Sequence, residues 1–262
     1  PNAAALSAGT GTGDSCSSYG NRNFYNLFTN WFGRTNGYPV YGAIKDKQNQ
    51  LNNSVAKIGE AIAYESCNQG PTECFQQFQN GYILWKNTTG AWESRGSIRK
   101  YYGQLDYEHG KLGYPAGPET PSDRGGTYQR YENGYIMGGT STSNGFWESL
   151  GSIRKYYGQL DYEHGKLGYP AGPETPSDRG GTYQRYENGY IMGGTSTSNG
   201  FWESTGLIRE QYGQLGYEHG KLGYPAGPEK CVNGNCQQEY EYGTIFSYSD
   251  GHTSYTVKER QD

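Results

Sequence analysis

Across residues 97–105, "SIRKYYGQL", the large apolar side chains fall at Ile98, Tyr101, Tyr102 and Leu105. Spacing of i, i+3, i+4 and i+7 puts them on one face and predicts a short helix, whose stability Gly103 limits. The pattern then breaks. "KLGYPAGPE" at 111–119 sets two Pro and two Gly within seven residues. Such a stretch continues no helix and fits no central strand, so it predicts a connector of tight turns with a fixed shape. "TYQRYENGYIMGG" follows and alternates about Asn133-Gly134. That pair favours a type I′ turn and predicts a hairpin with strands near 127–131 and 135–138. "GFWES" at 145–149 reads as one more short strand carrying an aromatic pair.

These elements recur. Residues 96–149 return unchanged at 151–204, a period of 55 residues. A third copy opens at Gly206 with "GLIREQYGQLGYEHGKLGYPAGPE" and then diverges. A fainter one lies upstream, where "KIGEAIAYES" (57–66) aligns on "KLGYPAGPET" and "QQFQNGYI" (76–83) on "QRYENGYI". The division is therefore a flexible tail over 1–23, a partial repeat or cap over 24–42, and repeats at 43–96, 97–151, 152–206 and 207–262. One unit is too small to bury its aromatic face and must pack on its neighbours. The fold class expected is mainly β with one short helix per unit, the tandem repeats stacking as an elongated stalk. A small closed propeller-like ring is the alternative.

Composition narrows the function. Gly is 42, Tyr 27 and Phe 8, so aromatic-lined units fit better than the large aliphatic core of a doubly wound α/β enzyme. Net charge is −4 with the two signs interspersed, which offers no footprint for nucleic acid or an anionic membrane. No apolar run approaches the roughly 20 residues of a membrane span. Pro1 stands where an initiator Met would, as expected of a mature or trimmed chain.

Four of the five cysteines form close pairs, Cys67 with Cys74 and Cys231 with Cys236. In repeat register Cys67 and Cys231 fall on Pro121 and Pro176, while Cys74 and Cys236 fall on Thr127 and Thr182. Two unlike loops bridge the same two positions, which predicts a disulfide in each and an oxidising compartment. A zinc site would need both pairs to meet, so no metal is expected. Cys16 is left unpaired or intermolecular.

Leu112-Gly113-Tyr114-Pro115, Glu119, Gln129, Tyr131, Gly134 and Ile136, followed by "GFWES" and Gly-Ser-Ile, resemble the LGFP-repeat family. Tyr replaces Phe in each clear copy, and the first unit lacks the Pro. The resemblance implies β-rich extracytoplasmic units strung into a stalk and associated with attachment to a wall polymer. It covers about residues 37–257, and no enzyme domain is expected among the residues beside the repeats.

Glu108-His109, Glu163-His164 and Glu218-His219 have the makings of a general acid and base. Active sites are single constellations, however, and every candidate here is copied with its surroundings, so no catalytic residue and no cofactor are assigned. Sugar binding needs ring faces for C–H stacking and polar groups for hydroxyls. The candidates are Trp92, Trp147 and Trp202, with Arg124, Arg130, Arg179, Arg185, Glu119, Glu174, Gln129 and Gln184. In the competing reading Tyr114, Tyr131, Tyr135 and the Trp residues are core. The functional expectation is a secreted, non-catalytic protein that binds or decorates a carbohydrate-rich envelope, with cell-wall or extracellular polysaccharide as partner. The alternatives are a self-associating structural subunit of a filament or surface layer and, third, a repeat-built glycan hydrolase.

Overall fold

The computed structural model describes residues 37–67 and 72–258. Cys16, the tail over 1–23 and most of the partial repeat lie outside them. Among the described residues there are four α-helices, α1 (Gly42–Asn52), α2 (Gly96–Gln104), α3 (Gly151–Gln159) and α4 (Gly206–Gln214). Four-stranded antiparallel sheets follow them: β1–β4 between residues 66 and 94, β5–β8 between 115 and 150, β9–β12 between 175 and 205, and β13–β16 between 230 and 257. Strands run in chain order within each sheet, and none closes into a barrel. Two compact bodies are distinguished, one holding residues up to 120 with 129–133 and the other 121–128 with 134 onward.

Each core joins a helix to the sheet that follows it. In the second body Ile153, Tyr156 and Tyr157 from α3 pack with Leu167, Tyr169, Tyr186 and Ile191. Ile208 and Tyr212 from α4 pack with Leu222, Tyr224, Tyr240 and Ile245. In the first body Ile44 and Leu51 from α1 meet Ile58, Phe78 and Ile83. With few aliphatics available, buried Tyr fills the volume and its hydroxyl needs a partner. Tyr102, Tyr157 and Tyr212 each donate to a connector carbonyl, Gly113 O at 2.7 Å, Gly168 O at 2.7 Å and Gly223 O at 2.8 Å. In the divergent first unit Gln48 takes that place and donates to Gly59 O at 3.0 Å.

The hairpins form, but not around a type I′ Asn-Gly turn. Tyr186 pairs with Gly189, so Glu187 and Asn188 are the turn residues, and neither has positive φ. Their amides donate to Tyr169 O at 2.9 Å and Leu167 O at 3.0 Å, and Tyr169 N donates back to the Glu187 carboxylate at 3.0 Å. The connector holds the tip, which removes the need for a self-sufficient turn. Gly189 serves close strand approach instead, since a Cβ there would lie 2.7 Å from Ser204 O.

The connector is also more than a turn. Its tight bend is at Gly113, Gly168 and Gly223, with φ of 69°, 69° and 68°. Its Pro-containing half then runs as a sheet edge: β5 covers Pro115–Pro121, and in the later copies Ala171 N donates to Arg185 O and Ala226 N to Glu239 O, both at 2.8 Å. Proline is tolerated on an edge strand because its missing N–H faces outward.

Cys67 stands opposite Cys74 and Cys231 opposite Cys236, each disulfide-bonded with Cα atoms 4.0 Å apart. Pro176 opposes Thr182 at the same place in the third unit. No helix among the described residues is long and apolar enough to cross a membrane.

Candidate functional site

Several residues that read as ligand contacts are structural. Gln129 and Gln184 are wholly buried. The Gln129 amide donates to Glu93 O at 2.7 Å and Gly117 O at 3.1 Å and accepts from Tyr131 OH at 3.1 Å. Gln184 repeats this with Glu148 O at 2.6 Å, Gly172 O at 3.1 Å and Tyr186 OH at 3.1 Å. These two assignments are therefore corrected: the amides cross-link one sheet to the last strand of the previous one, "AWES" for Gln129 and "FWES" for Gln184, and face no solvent. Tyr114 and Tyr131 belong to the core as well.

Glu119 and Glu174 stand in the same seam. Their own amides donate to the buried carboxylates of Glu93, at 3.0 Å, and Glu148, at 3.2 Å. Burial raises the Glu119 carboxyl above its ordinary range while Arg95, 3.5 Å away, opposes the shift. Trp92, Trp147 and Trp202 are half-buried, with ring N–H groups donating to Thr89 O at 2.6 Å, Ser143 O at 2.7 Å and Ser198 O at 2.7 Å. Arg124, Arg130, Arg179 and Arg185 are exposed, on loops and outward strand positions.

Two clefts of the same design lie elsewhere in the second body. The first, about 200 Å³, is lined by Tyr128, Tyr135, Met137, Arg154, Tyr162, Glu163 and His164. The second, about 250 Å³, is lined by Tyr183, Tyr190, Met192, Arg209, Tyr217 and Glu218. A hairpin supplies two Tyr and a Met, and the following helix with its 3-10 turn supplies the Arg, a third Tyr and the Glu. The Arg154 guanidinium lies 3.6 Å from the Tyr135 ring centre and 4.7 Å from that of Tyr162, and Arg209 lies 3.4 Å and 4.9 Å from Tyr190 and Tyr217. One nitrogen of each donates to a buried serine, Ser149 Oγ at 3.1 Å and Ser204 Oγ at 3.4 Å, which fixes the fork and leaves other N–H groups for a ligand. Glu163 and Glu218 are buried at the cleft and accept from Ser122 Oγ at 3.2 Å and Ser177 Oγ at 3.1 Å.

In the first body Arg99 sits 3.5 Å from the Tyr82 ring centre and 4.7 Å from that of Tyr107, and donates to Ser94 Oγ at 3.1 Å. Phe75 replaces the hairpin's other Tyr there, its ring 6.4 Å from Tyr82. Among the described residues the Tyr–Arg–Tyr constellation thus occurs three times.

Backbone conformation marks the same place. Tyr107, Tyr162 and Tyr217 have φ of 50°, 49° and 52°, each after a residue that is also left-handed, Asp106, Asp161 or Gly216. A bulky aromatic in that region costs energy, of order 1–3 kcal/mol, and such strain collects at functional sites. It turns each ring edge-on to the buried tyrosine of the preceding helix, as with Tyr162 and Tyr157 at 5.4 Å between centres. Burial, then the nearby Tyr186 and Glu163, push the Tyr157 phenol far above its ordinary range, so it stays a donor. Reading residue types alone missed Arg154 and Tyr162, and the usable signal was Gly216 standing where Asp106 and Asp161 stand, the mark of a left-handed position.

Helix-plus-sheet units, four among the described residues, and a ring-lined cleft recurring at the same place define a class of tandem-repeat β-proteins. The LGFP repeat matches residues 59–110, 112–165 and 167–220, more than half of the chain, and the chain belongs to this family. The family window opens at the connector and closes after the next helix, so one window spans a whole cleft constellation. No curated protein matches the chain. Among solved structures, a virginiamycin B lyase from Staphylococcus aureus is similar at 10% identity and a TM-score of 0.16, over 75% of this chain and 55% of that one. A streptogramin B lyase is similar at 11% identity and a TM-score of 0.15, over 74% and 68%. The chain spans about half the length of the first, and superposition this poor carries no argument.

Proposed function

We propose that the protein is a non-catalytic glycan-binding repeat protein of the cell envelope, holding a wall or extracellular polysaccharide through its Tyr–Arg–Tyr clefts. The observation that carries this reading is the recurrence of one constellation, at Tyr135, Arg154, Tyr162 and Glu163, at Tyr190, Arg209, Tyr217 and Glu218, and in related form at Tyr82, Arg99 and Tyr107. Aromatic faces attract the C–H face of a sugar ring, and the Arg fork and buried carboxylate suit its hydroxyls. Repetition favours binding over catalysis, because weak equivalent sites along one chain hold a polymer by avidity. LGFP repeats occur in cell-wall-associated proteins, and the two disulfides fit an oxidising, extracellular setting. The test is a pull-down on isolated wall polysaccharide together with long incubation of the same glycan. Retention on the polymer with unchanged glycan chains is expected. Release of shortened glycans would refute the non-catalytic reading, and recovery of all the protein in the unbound fraction would refute glycan binding.

A further inference from the structure

The cleft groups differ in what they offer a ligand. Arg154 and Arg209 only donate hydrogen bonds, whereas the side-chain oxygens of Glu163 and Glu218 accept them, as they do from Ser122 and Ser177. His164, which lines the first cleft, lies 3.6 Å from Asp123 and 3.8 Å from Glu163, and His219 lies 3.3 Å from Asp178 and 3.6 Å from Glu218, again a nitrogen base beside carboxylates. A phosphate or uronate would satisfy the Arg but face a buried carboxylate, and an ammonium would satisfy the Glu but face the guanidinium. A hydroxyl both donates and accepts. Two adjacent hydroxyls therefore complement both groups at once, while the carbon face of the ring that carries them lies against Tyr. Volumes of about 200 and 250 Å³ fall below the roughly 300–1,000 Å³ of drug-sized sites and suit one sugar ring.

We infer that each cleft takes one neutral sugar residue, its vicinal hydroxyls spanning Arg154 and Glu163 in one cleft and Arg209 and Glu218 in the other, and discriminates against uronate- and phosphate-bearing glycans. This rests on the glycan-binding reading and names the ligand class within it.

Isothermal titration of the full chain against neutral galactan, glucan, mannan and arabinan, against polygalacturonate, and against a glycerol phosphate polymer tests it. At least one neutral polymer is expected to bind about tenfold or more tighter than either polyanion. Its affinity should change less than about twofold between about 0.05 and 0.5 M salt, because no net charge is neutralised. The double variant Glu163→Gln/Glu218→Gln should weaken neutral binding about tenfold or more. Tighter binding of a polyanion, or steep salt dependence with the neutral polymer in the unaltered chain, would overturn the inference and leave glycan binding standing. Absence of binding to every polymer here and to isolated wall polysaccharide would overturn both.

Discussion

Replacing Gln184 by Met keeps side-chain length and removes one amide from the seam between two units. Three hydrogen bonds disappear, to Glu148 O, to Gly172 O and from Tyr186 OH, around a residue with no exposed surface. Tyr186 is itself 1% exposed, so water does not readily replace the lost acceptor. At about 1–2 kcal/mol for each of the three buried partners left unsatisfied, the cost is about 3–6 kcal/mol. Urea unfolding supplies the total, and amide hydrogen exchange supplies its location, since a repeat array need not unfold in two states. Protection should fall mainly across β9–β12 and α3. Arg185→Met, at the exposed neighbouring position, is the control and should shift stability by less than about 0.5 kcal/mol. A loss below about 1 kcal/mol for Gln184→Met, or exchange that rises evenly across the chain, would refute the view that this amide is a principal tie between units.

Tyr162→Asn keeps a residue that tolerates left-handed backbone while removing the ring, so differential scanning calorimetry should find a melting temperature unchanged or raised; a marked fall would deny the strain assigned to Tyr162. Burial pushes the Glu187 carboxyl up, but hydrogen bonds from the hydroxyls of Thr140 and Thr142 and from Tyr169 N outweigh it and hold the pKa below the ordinary value. A depressed carboxylate contributes stability above its unfolded pKa and loses it as pH falls through the folded one. Thermal melts from about pH 6 to about pH 3 should therefore decline less steeply for Glu187→Gln than for the unaltered chain, and parallel curves would contradict this. Reducing Cys231–Cys236 opens a loop with a sequence separation of 5 and should cost about 2 kcal/mol by the chain-entropy model. Exchange measurements on a Cys231→Ser/Cys236→Ser variant should place the loss in β13 (Lys230–Val232) and β14 (Asn235–Tyr240), and unchanged protection there would count against it.

Much of the scaffold was legible because its signals are local. Ile98, Tyr101 and Tyr102 declared a helix face, and the cysteines located facing strand positions through two loops of different length. The turn type was not legible, because Asn188 takes its geometry from Leu167 and Tyr169, residues about twenty positions earlier. The site was harder still. In a chain with little Leu or Val, tyrosine serves as core and as binding surface, and composition cannot separate buried Tyr131 from Tyr135 in the cleft wall. Gln129 looked like a surface reader, yet one of its two carbonyl partners, Glu93 O, belongs to the preceding repeat and meets it only once two repeats pack.

Affinity for solubilised wall polysaccharide, compared between the unaltered chain and Tyr162→Asn/Tyr217→Asn, tests the binding role of the clefts most directly. Removing both strained rings should weaken binding about tenfold or more with no loss of thermal stability. Equal affinity in the two proteins would place any glycan contact elsewhere and contradict the account.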